Sequence, residues 1–375
     1  MSSDHIAIPE GEGVPNGDYD TWLLEENLPE YDRLLSQEDA SQAILQRSED
    51  DIIHPHLEEL FRGYEFLLQL IWAEEKRPEG GRDMFFQQGR NILASTDNQV
   101  LQSFIKGTIP EEMVGNSNPH LKKFLRDALT EMQMQEEGKQ YRPVIYSQYL
   151  VNSNGKSPTV DEVKDIVTMV RRYIDGGPAD YQWARQIDTA KTIVGKKDIS
   201  WNQGGRRYLG TKYPAARKDK AKAFCMAVTT RCEGRAGNSR PRPFSDVGYT
   251  NNARTRLRDH SRHVSSNWLM NLVEAICLVH FPSYKIEQFV IYRIWDYFQS
   301  SVAEILFNRL AQSPIETGFG FAYCAAGHSV FSSGNVLSRI YSLWSVDALI
   351  STPLLGKTSS YDRKGFKVLA HDRKC

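Results

Sequence analysis

The chain contains 375 residues, of which 40% are hydrophobic and 25% are charged, proportions typical of a folded globular protein with two or three domains. No apolar run approaches the roughly 18 residues of a membrane-spanning helix, so we expect no membrane partner. The cysteines include no CxxC pair, and the N-terminus is polar and acidic rather than a secretory signal. The chain is therefore predicted to be intracellular.

The net charge of −1 conceals a strong asymmetry along the chain. Residues 1–100 contain 22 acidic and 7 basic residues, whereas residues 185–263 contain 19 basic and 6 acidic residues. A basic segment of this density indicates a polyanionic partner, and we expect nucleic acid, with DNA favoured over RNA. Two alternatives stay open. The basic segment could balance the acidic half within the fold, or the acidic half could mask it and bind a protein partner.

The first half of the chain is predicted to be an acidic tail followed by a helical domain. Residues 1–20 carry glycine, proline and acids without periodicity, which predicts disorder. Residues 21–195 read mainly as helices, because apolar residues recur at helical spacing, most clearly over 160–170. Thr159 and Glu162 have the spacing of a capping box for that helix.

Residues 196–221 form a predicted basic linker. Its two clusters resemble a two-part nuclear import signal, which favours the nucleus over the cytoplasm. The same side chains are candidates for tracking a nucleic-acid backbone, with Tyr208 and Tyr213 stacking on exposed bases. The candidate phosphate contacts in this segment are Arg206, Arg207, Arg217, Lys218 and Lys220.

Residues 222–320 are predicted to form a small domain, followed by a C-terminal extension over 321–375. Short β-branched and aromatic runs alternate there with helical patterns, which predicts three antiparallel strands flanked by helices. The fold class of the whole chain is therefore α+β, with a mainly α-helical N-terminal domain before the sheet. The predicted strands cover 223–230, 244–248 and 288–295, and the predicted helices cover 252–263, 267–279 and 300–312.

The segment from Val247 to His260 carries the residues best suited to phosphate chemistry. Arg256 and His260 lie one turn apart on the predicted helix, so their side chains share one face. An arginine donates a planar fork to phosphate oxygens, and a histidine transfers protons near neutral pH. Further candidate phosphate contacts in this segment are Thr250, Arg254 and Arg258.

The order of these elements and residues resembles the GIY-YIG nuclease domain over about residues 222–320. Gly248 and Arg256 have the spacing of the glycine that ends that family's second motif and the invariant arginine that follows it. His260 stands where several members carry a histidine. Glu304 lies on a predicted helix shortly after a strand, as the family's metal-binding glutamate does.

Two positions depart from the family pattern. Asp246 stands where the second motif has a tyrosine, and the strand predicted over 223–230 offers no tyrosine for the first motif. Tyr249 is the nearest substitute, although its side chain points to the other face from Asp246 if the strand continues that far. These departures motivate a second hypothesis, that the chain keeps the fold as a catalytically inactive nucleic-acid-binding or interaction protein.

The resemblance implies a metal-dependent endonuclease that hydrolyses phosphodiester bonds. Glu304 would bind Mg²⁺ or Mn²⁺, since carboxylate oxygens are ligands that these hard cations prefer. Arg256 would stabilise the charge that develops on the phosphate. His260 would be the general base, with Tyr249 as the second choice because an ordinary tyrosine pKa of about 10 makes it a poor base.

Overall fold

Helices cover both faces of a three-stranded antiparallel sheet. The computed structural model describes residues 54–75, 81–115, 119, 121–123, 142–192, 199–210, 214–264, 267–327 and 341. The predicted acidic tail over 1–20 lies outside the described residues, as do 328–340 and 342–375 of the predicted C-terminal extension. All described residues belong to one compact unit.

The sheet has the strand order β2-β1-β3, so the first strand along the chain is its middle strand. The strands are β1 (Val144–Asn152), β2 (Ser245–Thr250) and β3 (Tyr284–Arg293). β1 pairs antiparallel with both neighbours, which places Tyr146 opposite Gly248 on one side and opposite Val290 on the other. Successive side chains of a strand point to opposite faces, so the partners in such a row share one face.

The middle strand comes from the region that the sequence predicts to be helical. β1 is rich in β-branched and aromatic residues, and it is buried along all but its last residue. A strand buried on both faces lacks the alternation of polar and apolar residues that marks a half-exposed strand. The sheet therefore combines a strand from predicted domain 21–195 with two strands from 222–320, and residues 222–320 alone would lack its central strand.

Helices α1 to α5 pack on the face of the sheet that carries Ile145, Tyr149 and Val151. Their apolar side chains, including Leu57 and Phe104, form one core with that face. The helices are α1 (Pro55–Arg62), α2 (Tyr64–Glu74), α3 (Gly81–Ser95), α4 (Asn98–Lys106) and α5 (Ile109–Val114). The N-terminal helices are thus part of the layer that encloses the sheet.

The later helices complete both layers. They are α6 (Val160–Asp175), α7 (Tyr181–Thr189), α8 (Pro214–Arg231), α9 (Ala253–Ser261), α10 (Trp268–His280) and α11 (Gln299–Leu310). Helices α6, α7, α8 and α10 form a second core with Leu150 on the opposite face of β1, whereas α11 joins the core of α1 to α5. Short 3-10 turns occur at Pro178–Asp180, Trp201–Gln203 and Ile315–Thr317.

The capping box predicted for α6 is confirmed. Thr159 Oγ1 accepts a hydrogen bond from the Glu162 backbone nitrogen at 3.3 Å, and Glu162 Oε2 accepts one from the Thr159 backbone nitrogen at 2.7 Å. The predicted elements β2, α9, α10, β3 and α11 are also present, with ends shifted by a few residues. No helix among the described residues is both long enough and apolar enough to cross a membrane.

The strand predicted over 223–230 is wrong, because those residues belong to α8. The buried residues of α8 are Ala221, Phe224, Cys225 and Val228, whose spacing is that of one helical face. The helix begins at Pro214, a residue favoured in the first helical turn, and continues through alanines and lysines with high helix propensity. The apolar run that resembles a strand is the C-terminal half of this helix.

Candidate active site

Tyr146 brings together the two residues that the sequence singles out for phosphate chemistry. Its phenol oxygen lies 2.9 Å from Nε2 of His260, and Nε of Arg256 donates a hydrogen bond to the same oxygen at 3.3 Å. The rings of Tyr146 and His260 meet edge to face, with their centroids 5.3 Å apart. Arg256 and His260 therefore both contact the phenol oxygen of a single tyrosine from β1.

Local structure explains why these side chains meet. The side chain of Asn252 accepts a hydrogen bond from the Thr255 backbone nitrogen and so begins α9 directly after β2. Arg256 and His260 follow one turn apart on the face of α9 that turns toward the sheet. The helix lies over the row of the sheet that contains Tyr146, so its arginine and histidine reach the phenol together.

Gly248 makes room for the tyrosine. A Cβ atom at position 248 would lie 2.5 Å from the Tyr146 phenol oxygen and 2.7 Å from the ring carbon that carries it. These distances are shorter than ordinary nonbonded contacts, so any other residue would displace the ring. The glycine that the sequence places in a motif is thus required by the tyrosine opposite it on β1.

Burial keeps both partners of the tyrosine–histidine pair neutral. It raises the pKa of Tyr146 to about 12, although the positive charge of Arg256 opposes this shift. Burial, assisted by Arg256, lowers the pKa of His260 to about 3. Because Arg256 already donates to the phenol oxygen, the phenol hydrogen is directed at Nε2 of the neutral imidazole.

Two carboxylates lie beside this group. Asp246 is 7% exposed and accepts a hydrogen bond from Nδ2 of Asn267 at 3.2 Å. Glu304 on α11 is 5% exposed, and its Oε2 accepts a hydrogen bond from the backbone nitrogen of Gly327 at 3.0 Å. Burial and, to a smaller extent, the charge of Glu304 raise the pKa of Asp246 to about 7, against the opposing effects of Asn267 and Arg256.

The donor set fits a hard divalent cation. No three metal-binding side chains converge anywhere in the described part of the chain. Mg²⁺, however, is usually held by one or two carboxylates while water and substrate phosphate fill its other positions. Glu304 and Asp246 provide carboxylates of this kind, and α11, which carries Glu304, packs against β2, which carries Asp246.

Tyr249 lies outside this group. In the register of β2 its neighbour Gly248 shares a face with Tyr146, so Tyr249 points to the opposite face. Its side chain is 6% exposed and belongs to the core that α1 to α5 form. The tyrosine that lies beside Arg256 and His260 is therefore Tyr146, 103 positions earlier in the chain, and not Tyr249 as the sequence predicts.

Arg206 and Arg207 cannot contact a phosphate in this structure, because both are 7% exposed and bound to the protein. Arg206 donates to the carbonyl oxygens of Tyr173 and Gly205, and Arg207 donates to that of Asp188. Each of the two guanidinium groups makes further contacts of this kind. The two side chains hold this loop against α6 and α7 instead of facing solvent.

The other predicted phosphate contacts divide into two groups. Arg217 is half-buried, donates to the carbonyl oxygen of Tyr208 at 2.8 Å and lies over the ring of Trp268. Thr250 is buried and its hydroxyl accepts a hydrogen bond from the backbone of the following turn. The side chains that remain at the surface are Lys218, Lys220, Arg254 and Arg258, of which Lys218 is half-buried. Tyr213, predicted to stack on bases, lies outside the described residues.

Sequence reasoning missed Tyr146, although a signal was present. The run from Pro143 to Asn152 is rich in β-branched and aromatic residues, which is the composition of a strand. Comparisons with protein-family models, with curated proteins and with solved structures return no match to this chain. Its function is therefore inferred from the chemistry of Tyr146, Asp246, Arg256, His260 and Glu304.

Proposed function

We propose that this protein is a metal-dependent endonuclease that hydrolyses phosphodiester bonds, with DNA as its substrate and the nucleus as its location. The observation that carries the proposal is the contact of Tyr146 with both Arg256 and His260, beside the carboxylates of Asp246 and Glu304. These residue types supply a proton path, a cation for developing negative charge and ligands for a divalent metal.

Each side chain has a distinct role in the proposed reaction. A water molecule transfers its proton to the phenol oxygen of Tyr146 while the phenol proton moves to Nε2 of His260. The resulting hydroxide attacks phosphorus, and the 3′ oxygen leaves. Arg256 stabilises the negative charge that develops on the phenol and the phosphate. A divalent cation bound by Glu304 would polarise a phosphoryl oxygen and stabilise the leaving 3′ oxygen.

A cation at this site would assist the transfer of the phenol proton. With Tyr146 near 12 and His260 near 3, the proton stays on the phenol in the free protein. Positive charge near Glu304 and Asp246 would lower the pKa of the phenol, because both carboxylates raise it. The free protein is therefore expected to be inactive without a divalent cation.

The same residues support the resemblance to GIY-YIG nucleases. Tyr146, which ends a Val-Ile-Tyr string on β1, supplies a tyrosine of the kind that the first motif uses. Asp246 and Gly248 share the face of the sheet that carries it. Exposed Arg254 and Arg258 on α9 are the proposed contacts to neighbouring phosphates.

A nuclease assay with matched tyrosine variants tests the proposal. The protein is incubated with plasmid, linear duplex and single-stranded DNA in Mg²⁺ or Mn²⁺. Tyr146→Phe removes the phenol oxygen and keeps the packed ring, so we expect cleavage to fall by about 100-fold or more. Arg256→Ala and Glu304→Gln should have effects of similar size. Tyr249→Phe, a buried tyrosine on the other face, should cleave like the unaltered protein.

Burial of the site favours a second candidate function, that of a binding module without cleavage. Tyr146 and His260 are each 2% exposed, so a phosphate reaches them only if the surrounding segments move. A module of this kind would bind DNA with strong salt dependence and cut none of the substrates in either metal. Cleavage that Tyr146→Phe leaves unchanged would contradict the proposed active site.

A further inference from the structure

The register of β1 and β2 places a second polar row beside the tyrosine. Tyr146 lies opposite Gly248, and two residues further along the strands Gln148 lies opposite Asp246. Side chains two residues apart on a strand share a face, so Gln148 and Asp246 face the same side as Tyr146. Directly opposed residues of an antiparallel pair have Cβ atoms about 5 Å apart. Gln148 and Asp246 are therefore immediate neighbours.

Asp246 is a buried carboxylate without an ion-pair partner. Among the residues that the structure describes, no lysine or arginine lies within ion-pairing distance of it, and its hydrogen bond comes from the neutral amide of Asn267. Glu304 lies on α11, which packs against β2, and its negative charge acts on Asp246 against the positive charge of Arg256. Buried charges in proteins are normally paired or bound to metal ions, so this arrangement favours a cation.

The side chain of Gln148 provides a second, independent indication that a ligand binds beside Asp246. This side chain is fully buried, and within the described part of the chain neither its amide oxygen nor its amide nitrogen has a hydrogen-bond partner. A buried amide without partners is costly, and nearly all such groups in folded proteins are satisfied by protein or by ordered water. A hydrated cation beside Asp246 would give the amide oxygen a metal or a metal-bound water to contact.

We propose that Asp246 and Glu304 together hold one divalent cation, Mg²⁺ or Mn²⁺, and that the Gln148 amide binds it directly or through one of its waters. This inference rests on the proposed nuclease function and names a second carboxylate for its metal. Two carboxylates balance the charge of the ion, and an amide oxygen is a further hard ligand. Asp246 thereby has a role in this chain that a tyrosine at the same position could not fill.

Direct measurement of metal binding tests the inference without DNA. Mn²⁺ is titrated into the full-length protein, and the EPR signal of the free aqueous ion reports how much is bound. The unaltered protein should bind one Mn²⁺ per chain. Asp246→Asn and Glu304→Gln should each weaken binding by about 10-fold to 100-fold, and Gln148→Met by about 10-fold. Glu316→Gln, at an exposed carboxylate, should bind like the unaltered protein.

The outcomes separate this inference from the proposed function. If Asp246→Asn titrates like the unaltered protein while Glu304→Gln loses binding, Asp246 is not a ligand, and cleavage by the unaltered protein would leave the nuclease proposal intact. If Asp246→Asn and Gln148→Met both lose Mn²⁺ but no substrate is cut, the metal site stands and the nuclease function does not. Absence of Mn²⁺ binding by the unaltered protein overturns the inference. Thermal unfolding of each variant shows whether a lost signal reflects lost folding.

Discussion

The imidazole of His260 is held neutral by burial and by the charge of Arg256. Its pKa is about 3 in the folded protein, against an ordinary value near 6.5 in an unfolded chain. Between these values the unfolded state binds a proton that the folded state does not. Stability due to this residue is therefore complete above about pH 6.5 and is lost as the pH falls toward 3.

We expect the free energy of unfolding to fall by up to about 1.4 kcal/mol per pH unit below pH 6.5 because of His260 alone. Urea unfolding of the unaltered protein and of His260→Gln at pH 7, 6, 5 and 4.5 measures this slope. His263 is also buried with a lowered pKa, so the slope of the unaltered protein contains its contribution too. The difference between the two proteins isolates His260, and parallel curves would contradict the assignment.

The contribution of the Asp246 carboxyl to stability depends on pH in the opposite direction. Its pKa is raised to about 7 in the folded protein, so the folded state binds the additional proton between about pH 4 and pH 7. Stability due to this residue is present at low pH and is lost as the pH rises through 7. A residue that costs stability at neutral pH is typical of a site retained for binding or catalysis.

At the scale of single elements, α10 is joined to the site through its N-cap residue, Asn267. Asn267 caps the helix by accepting hydrogen bonds from the backbone nitrogens of Leu269 and Met270. Its amide nitrogen donates to Asp246 and to the carbonyl oxygen of Phe321. The same side chain therefore starts the helix and fixes the carboxylate.

Asn267→Asp separates these two roles, because aspartate caps a helix as well as asparagine but donates no hydrogen bond. We expect a loss of about 1–3 kcal/mol in the free energy of unfolding at pH 8, where two buried carboxylates would face each other. Asn252→Asp is the matched control, since Asn252 caps α9 through the same kind of oxygen contact. Equal stabilities of the two variants in urea unfolding would show that the amide donors of Asn267 contribute nothing.

How far each element could be predicted depended on its pattern. The strands β2 and β3 and the helices α9, α10 and α11 have local signals, such as the asparagine caps of α9 and α10, and were predicted correctly. The sequence predicts helix where β1 lies and a strand where α8 ends. A fully buried strand such as β1 lacks the alternation of polar and apolar residues, and the end of α8 contains β-branched residues that are typical of strands. Arg256 and His260 are candidates because they lie one turn apart on one helix, and Glu304 is a candidate because its helix follows a strand. Tyr146 comes next to Arg256 and His260 only through strand pairing, which local spacing does not reveal.

At the scale of the whole molecule, the acidic N-terminal segment is expected to influence the proposed binding of nucleic acid. Residues 1–53 contain 14 acidic and 2 basic residues. A deletion to residue 100 would remove α1, whose Leu57 and Leu60 are buried in the core, so it would test folding rather than charge. A deletion of residues 1–53 leaves every described helix in place.

We expect this shorter protein to bind duplex DNA more tightly than the full chain at low salt, because the negative charge that competes with phosphate is gone. The advantage should shrink as salt rises. Fluorescence anisotropy with a labelled duplex in EDTA, which prevents cutting, measures both dissociation constants across a salt series. Equal affinity at every salt concentration would show that the acidic segment does not mask the basic surface.

The position of β1 in the middle of the sheet also governs how the protein is made. Its partners on β3 lie about 130 to 150 residues later along the chain. At ordinary rates of synthesis, a ribosome needs on the order of 10 s to translate that interval. Both edges of the nascent strand are unpaired until β2 emerges about 100 residues later, and one edge remains unpaired until β3 follows. Unpaired edges of this kind are prone to aggregation. We therefore expect nascent chains of this protein to need chaperones until β3 has emerged from the ribosome.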